Sequence, residues 1–141
     1  MRTRRLLALT LRDLRSLARG RVFTDWEGRI DGRLSTMPEQ ATPLQRAQLL
    51  AGLSAGTELM RLRCSARQLG RSASLEPACA AIAKGKTGDA ITHLAQLDAE
   101  LAADGGSGTE LQFILHVRSS ILVLTQALTR HADYFDSGAG R

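Results

Sequence analysis

The amino-acid sequence predicts an all-α fold, a helical bundle of about five or six helices with two long central helices. Aromatic residues make up only 4% of the 141 residues, while leucine and alanine dominate, which disfavours a β-sandwich. Apolar residues recur at helical spacing along most of the chain, and helix-capping patterns interrupt them. The length is that of one globular domain, so we expect residues 1–141 to form a single helical domain.

The first helix is expected within residues 1–20, as a basic amphipathic leading helix that ends at Gly20. One face carries leucines at helical spacing. The opposite face is predicted to carry four arginines, which are the candidate residues for contact with an anionic surface: Arg5, Arg12, Arg15 and Arg19.

A second helix is predicted from the capping-box pattern at residues 24–27, where Thr24 and Glu27 would each satisfy a free backbone N–H. Apolar residues continue at helical spacing from Trp26 to Met37. Pro38 ends the pattern, so this helix lies before it.

The clearest helix start is the Thr-Pro-Leu-Gln pattern at residues 42–45, an N-cap followed by proline and by a glutamine that can close a capping box. The helix is expected over residues 43–69, with Gly70 as its stop. Its apolar residues form two stripes, one of which begins at Leu44. Such a width predicts contact with two neighbours and a central position in the bundle.

Two shorter helices are expected next. The first covers about residues 75–84, with Ser74 as its cap and Gly85 at its end, and the second covers about residues 88–103. A glycine-rich turn then occupies residues 104–108.

The last helix is the second central one, and we expect it over residues 109–135. Ser107 and Glu110 form a third capping-box pattern at its start. The tail over residues 136–141 contains glycine and is expected to be loose.

Two glycine pairs at a spacing of four lie inside predicted helices, Gly28 with Gly32 and Gly52 with Gly56. Each glycine costs up to about 1 kcal/mol relative to alanine in a helix interior, so something should compensate. Close packing of helices is the favoured explanation, and a self-association face is the alternative.

The Gly-Lys-Thr sequence at residues 85–87 resembles the end of a phosphate-binding loop. Such a loop needs an earlier glycine where Ala80 stands, and it follows a strand, whereas the preceding segment is predicted to be helical. An ordinary loop between helices is therefore the favoured interpretation.

No catalytic, metal-binding or cofactor-binding residues are predicted, and no cofactor is expected. His93, His116 and His131 are separated by 23 and 15 residues, so no two lie on one helical turn. We expect His93 and His116 to face solvent and His131 to lie at a boundary. Cys64 and Cys79 lack metal-ligand spacing, and each is interpreted as a small buried apolar residue in a reduced compartment.

The charge is concentrated at the start of the chain. Residues 1–33 contain nine arginines and four acidic residues, and thus carry the whole net charge of +5. Three interpretations of the arginine face remain open: a solvated face, a contact with anionic lipid, or a contact with nucleic acid, for which nearby stacking aromatics are few. The longest uncharged stretches contain 11 residues, so we expect no segment to cross a bilayer.

Four stretches together resemble the soluble cytoplasmic region of the fusaric acid resistance (FUSC, aromatic acid exporter) family of bacterial inner-membrane efflux proteins. They are LRDLRSLARG at 11–20, DWEGRIDGRL at 25–34, LLAGLSAGTELMRLR at 49–63 and ALTRHADYF at 127–135. The resemblance covers about residues 11–135. It implies a transporter that exports aromatic or other weak acids with a periplasmic adaptor, and it assigns no functional residue here.

The expected function is therefore a non-catalytic helical domain on the cytoplasmic side of a bacterial inner membrane, which supports assembly or gating of an efflux permease. Its expected partners are the membrane portion of the same or a companion permease, an anionic lipid surface and further copies of itself, with nucleic acid disfavoured. The alternative is a stand-alone helical adaptor or regulator that binds an acidic partner or nucleic acid through the arginine face.

Overall fold

The structure, a computed structural model, describes residues 2–105 and 108–138, and this part of the chain is all-α, as predicted. It contains seven helices and no strand. The helices are α1 (Thr3–Ala18), α2 (Trp26–Thr36), α3 (Pro43–Gln68), α4 (Ser72–Ala83), α5 (Thr87–Asp104), α6 (Thr109–Arg130) and α7 (Ala132–Asp136).

The long helices α3 and α6 form the centre of the bundle. Helix α3 packs against α1 on one side and α6 on another, and it also contacts α4. Helix α5 packs against α4 and α6, which closes the bundle. Leucines from most helices fill the core, among them Leu14, Leu59, Leu94 and Leu124. The predicted central position of α3, with two principal neighbours, is confirmed.

Local capping chemistry sets the bounds of α3, as the sequence predicted. The hydroxyl of Thr42 accepts a hydrogen bond from the backbone N–H of Gln45 at 3.1 Å, and the Gln45 side chain accepts one from the Thr42 N–H at 2.9 Å. The chain leaves the helix through Gly70, whose positive φ of 70° suits glycine. Leu44, however, is 60% exposed, so it does not belong to the predicted inner stripe.

Helix α2 starts differently from the prediction. It begins at Trp26 with Asp25 as N-cap residue, and no side chain caps it, so the expected capping box of Thr24 and Glu27 is wrong. Both carboxylate oxygens of Asp25 accept hydrogen bonds from Arg29 at 3.1 Å. Trp26 is the one buried residue that α2 contributes, and it attaches α2 to the core.

The predicted start of α4 and the continuity of the last helix are also corrected. Helix α4 begins at Ser72, with Arg71 as N-cap residue, so Ser74 does not cap it. The predicted helix over 109–135 breaks at His131, which separates α6 from α7 and brings the described helices to seven. Ser107, the expected cap of α6, lies outside the described residues, as do residues 139–141 of the expected tail.

Helix α6 has a buried face and an apolar exposed face. Ile114, Ile121 and Leu124 point into the core, whereas Leu115 and Leu122 are 51% and 56% exposed. Within the described residues, α6 is also the one helix that is long and apolar enough to cross a membrane by length and composition. A third of the apolar stretch within Glu110–Arg130 is buried in the bundle. A core helix of a bundle passes the same test of length and composition, but such a helix is mostly buried, whereas most of this stretch of α6 is not.

Candidate functional site

Three of the four predicted arginines form one exposed row along α1. Arg5, Arg12 and Arg19 are all exposed, and they are seven residues apart. Seven residues are nearly two helical turns, so the three guanidinium groups start from the same side of the helix, about 10 Å apart along its axis. We call these three residues the basic row.

The charge of the basic row is not neutralised within the described part of the chain. No acidic side chain there lies within 4.0 Å of Arg5, Arg12 or Arg19. Arg19 donates a hydrogen bond to the backbone carbonyl of Ala83 in α4 at 3.3 Å, which leaves its charge unpaired. The basic row therefore presents three positive charges to any partner that binds the exposed side of α1.

Arg15 does not belong to this row, and its predicted place on the exposed face is wrong. Its side chain is fully buried, and Nη2 donates hydrogen bonds to the carbonyl oxygens of Phe135 at 2.9 Å and Ser137 at 2.7 Å. These carbonyls lie at the end of α7, where a helix leaves acceptors unpaired and carries partial negative charge. Arg15 thus attaches α1 to α7 and serves the fold.

A buried carboxylate on α1, which the sequence analysis did not single out, holds α2 in place. Asp13 forms ion pairs with Arg33 and, at 3.3 Å, with Arg29, and Arg33 also donates a hydrogen bond to the hydroxyl of Thr10. The sequence signal was available, because Asp13 is the one acidic residue among the six arginines of residues 1–20. Two of the nine N-terminal arginines are therefore paired internally.

The two glycine pairs have different surroundings. Gly52 and Gly56 are buried in α3: a Cβ at Gly52 would lie 2.8 Å from Cγ2 of Thr10, and a Cβ at Gly56 would overlap the indole ring of Trp26. Close packing is confirmed for this pair. Gly28 and Gly32 are exposed and a Cβ would meet nothing within 4 Å, so the packing role predicted for them is wrong.

In the Gly-Lys-Thr sequence at 85–87, Gly85 and Lys86 lie between α4 and α5, as expected for an interhelical loop, and Thr87 is the first residue of α5. Thr87 is buried, and both its backbone N–H and its hydroxyl donate hydrogen bonds to Oδ1 of Asp136. This contact joins the start of α5 to the end of α7. The Thr87 hydroxyl, which a nucleotide site would use to bind a metal ion, is thus hydrogen-bonded to Asp136.

The histidines and cysteines are dispersed. His116 is exposed, His93 is half-buried beside Gln96, and His131 is half-buried at the junction of α6 and α7. Cys79 is buried, as predicted, and desolvation raises the pKa of its thiol to about 11. Cys64 is exposed, so the prediction that it is buried is wrong. The described residues contain no group of three or more histidine, cysteine or acidic side chains suited to a metal ion.

No protein-family model, curated protein or solved structure matches this chain. The basic row is thus the candidate functional site on geometric and electrostatic grounds alone.

Proposed function

We propose that this chain is a non-catalytic cytoplasmic helical domain of a bacterial inner-membrane efflux permease of the fusaric or aromatic acid exporter type, and that its basic row contacts the anionic membrane surface. The observation that carries the proposal is the exposed, unneutralised basic row on α1. The assignment to that type of permease rests on the resemblance of four stretches to the cytoplasmic region of the family.

The electrostatic gain is large enough to matter. An arginine near an anionic lipid surface contributes about 1 kcal/mol, so three of them contribute about 3 kcal/mol. Since 1.4 kcal/mol corresponds to a factor of ten, the basic row would favour anionic over neutral vesicles by about a hundredfold. Salt screens interactions between solvent-exposed charges, so the preference for anionic vesicles falls as ionic strength rises.

The packing of α1 supports a role in assembly or gating. Helix α1 packs against the central helix α3 and also contacts α4. Arg15 links it to α7, and the Asp13 pairs link it to α2. A displacement of α1 at a membrane would therefore be passed to four other helices of the bundle.

Vesicle flotation tests the lipid contact. The full chain is mixed with neutral phosphatidylcholine vesicles or with vesicles containing 30% phosphatidylserine. Replacing Arg5, Arg12 and Arg19 with glutamine should abolish the preference for anionic vesicles. The matched control replaces three exposed basic residues outside α1, Arg67, Lys86 and Arg130, which removes the same charge. Equal losses in both triple variants would contradict a role for the basic row.

Cell fractionation tests the permease assignment separately. An antibody against this chain should detect a large protein in the inner-membrane fraction of the source cells. A soluble species of about the calculated 15.2 kDa would overturn the assignment and leave the adaptor alternative. That alternative gains support if the basic row binds an acidic protein or nucleic acid while neither vesicle type is bound.

A further inference from the structure

A small basic pocket lies between the end of α1 and the C-terminal part of α3, away from the basic row. Its volume is about 260 Å³. Its charged wall consists of Arg21, Arg63 and Arg67, and its apolar wall consists of Leu17, Val22 and Met60. Leu17 lies about 140° around α1 from Arg12 at 100° per residue, so the basic row and the pocket occupy different sides of the helix.

Positive charge is concentrated in this pocket beyond what its neighbours neutralise. Arg63 and Arg67 are one turn apart on α3, an arrangement of like charges that destabilises a helix. One carboxylate pairs with this group, that of Glu76, whose Oε1 lies 3.3 Å from Nη1 of Arg63. Three guanidinium groups and one carboxylate leave a local charge of about +2.

The three arginines are held to different degrees. Arg63 donates from Nη2 to the carbonyl oxygen of Ala18 at 2.5 Å, which fixes its position against the end of α1. The Arg21 guanidinium lies 4.8 Å from the centre of the Phe23 ring, and it is exposed. Arg67 is exposed, and no hydrogen bond or ion pair of its side chain is formed within the described residues. Arg21 and Arg67 are therefore available to a ligand.

The apolar wall faces the same space. Leu17 is buried, Met60 is half-buried, and Val22 is 72% exposed. Val22 therefore lies beside the arginines of the charged wall. Such a pocket would bind an anion and an apolar group side by side. Its volume lies just below the usual range of about 300–1,000 Å³ for ligand pockets, so it suits a small ligand.

We propose that this pocket binds a phosphate monoester that carries a small apolar substituent. A phosphate monoester has a charge of about −1.5 to −2 near pH 7, which matches the local charge, and its three acceptor oxygens are enough for the two available guanidinium groups of Arg21 and Arg67. Guanidinium groups bind such oxygens in pairs of parallel hydrogen bonds. A monocarboxylate supplies half the charge. The substituent would pack against Val22 and Met60. This inference does not depend on the proposed function.

Cys64 provides a direct measure of occupancy. It lines the pocket and is exposed, whereas Cys79 is buried with a raised pKa, so iodoacetamide should alkylate Cys64 selectively in the folded chain. Phenyl phosphate is the probe, and calorimetry gives its Kd. At saturation it should slow alkylation at least about fivefold. Benzoate, inorganic phosphate and phenol each lack part of the ligand, and each should bind at least about tenfold more weakly.

Two variants test the arginines. Arg67→Gln should weaken binding of phenyl phosphate about tenfold, and Arg67→Lys should weaken it less because the charge remains. Arg130→Gln removes an exposed arginine at the end of α6 and should leave the Kd unchanged. Circular dichroism verifies that each variant is folded. Benzoate binding as tight as phenyl phosphate would overturn the charge argument, and an unchanged Kd in Arg67→Gln would overturn the site.

A lipid and a soluble compound could each supply the phosphate monoester, and vesicles separate these sources. Protection of Cys64 by vesicles containing phosphatidic acid, but not by vesicles of phosphatidylserine, would identify the lipid headgroup as the source. Protection by phenyl phosphate alone would identify a soluble ligand. Protection by neither would overturn the proposal.

Discussion

The two glycine pairs allow a test in which one chemical change has opposite effects at two sites. A methyl group added at Gly56 would overlap the ring of Trp26 and lie 3.2 Å from Cδ1 of Leu17, so the rigid indole must move. Overpacking of this kind costs about 1–3 kcal/mol, while the alanine gains up to about 1 kcal/mol in helix propensity. We expect Gly56→Ala to lower the free energy of unfolding by about 1–2 kcal/mol, or the Tm by about 3–7 °C.

Gly32→Ala is the matched control. Gly32 is exposed inside α2, and an added Cβ meets nothing within 4 Å. The propensity gain is then uncompensated, so this variant should be more stable than the original chain by up to about 1 kcal/mol. The two variants differ in sign because their neighbours differ, although both carry the same substitution within the same four-residue spacing.

Urea unfolding measures both free energies. Circular dichroism reports the helices, and fluorescence reports Trp26, the single tryptophan, which contacts the substituted site. Displacement of the indole should weaken its hydrogen bond from Nε1 to the hydroxyl of Thr57, now 3.0 Å, and shift the emission to longer wavelength in Gly56→Ala alone. A Gly56→Ala variant as stable as the original chain, with unchanged emission, would refute the packing argument.

Three further predictions concern buried groups. Arg15→Gln should lower the free energy of unfolding by about 3 kcal/mol, because the carbonyls at the end of α7 lose a charged donor. The control Arg12→Gln changes an exposed residue and should alter the free energy by less than about 0.5 kcal/mol. Equal urea midpoints for the two variants would contradict this prediction. The unfolded Cys79 thiol ionises from about pH 9.0 and the folded thiol near 11, so stability should fall by about 2 kcal/mol over that range. Cys79→Ala should lose this part of the pH dependence, and identical slopes would rule it out. Leu124→Ala should cost about 2–5 kcal/mol and Leu122→Ala under about 1 kcal/mol, a contrast that disappears if α6 does not pack as described.

Features determined by neighbouring residues could be predicted from the sequence. The capping box at 42–45 and the positive φ at Gly70 depend on groups within one helical turn, so both bounds of α3 were expected. The start of α2 was misplaced by one residue, because Thr24 and Asp25 are both residue types that favour an N-cap position. The helix begins after Asp25, whose carboxylate pairs with Arg29 instead of capping.

Features determined by distant residues could not be predicted in the same way. The carbonyls that bind Arg15 are 120 and 122 residues away, and the ring that fills the space at Gly56 belongs to another helix. Likewise, Cys64 and Cys79 have the same side chain but opposite exposure. The candidate site was predicted in outline, as a basic face on α1, with one of its four residues misplaced.

The position of Arg15 changes the electrostatics of the proposed membrane contact. At 100° per residue, Arg15 lies about 40° from Leu11 and Arg12 about 100° from it, so Arg15 starts at the edge of the apolar arc, where the distant carbonyls of Phe135 and Ser137 bind it. Three exposed arginines instead of four lower the expected attraction to an anionic surface from about 4 to about 3 kcal/mol. A role of Arg15 in the fold and a role of the basic row at the membrane therefore separate experimentally. Arg15→Gln should lower stability while the folded variant keeps its preference for anionic vesicles, and a loss of that preference would return Arg15 to the surface.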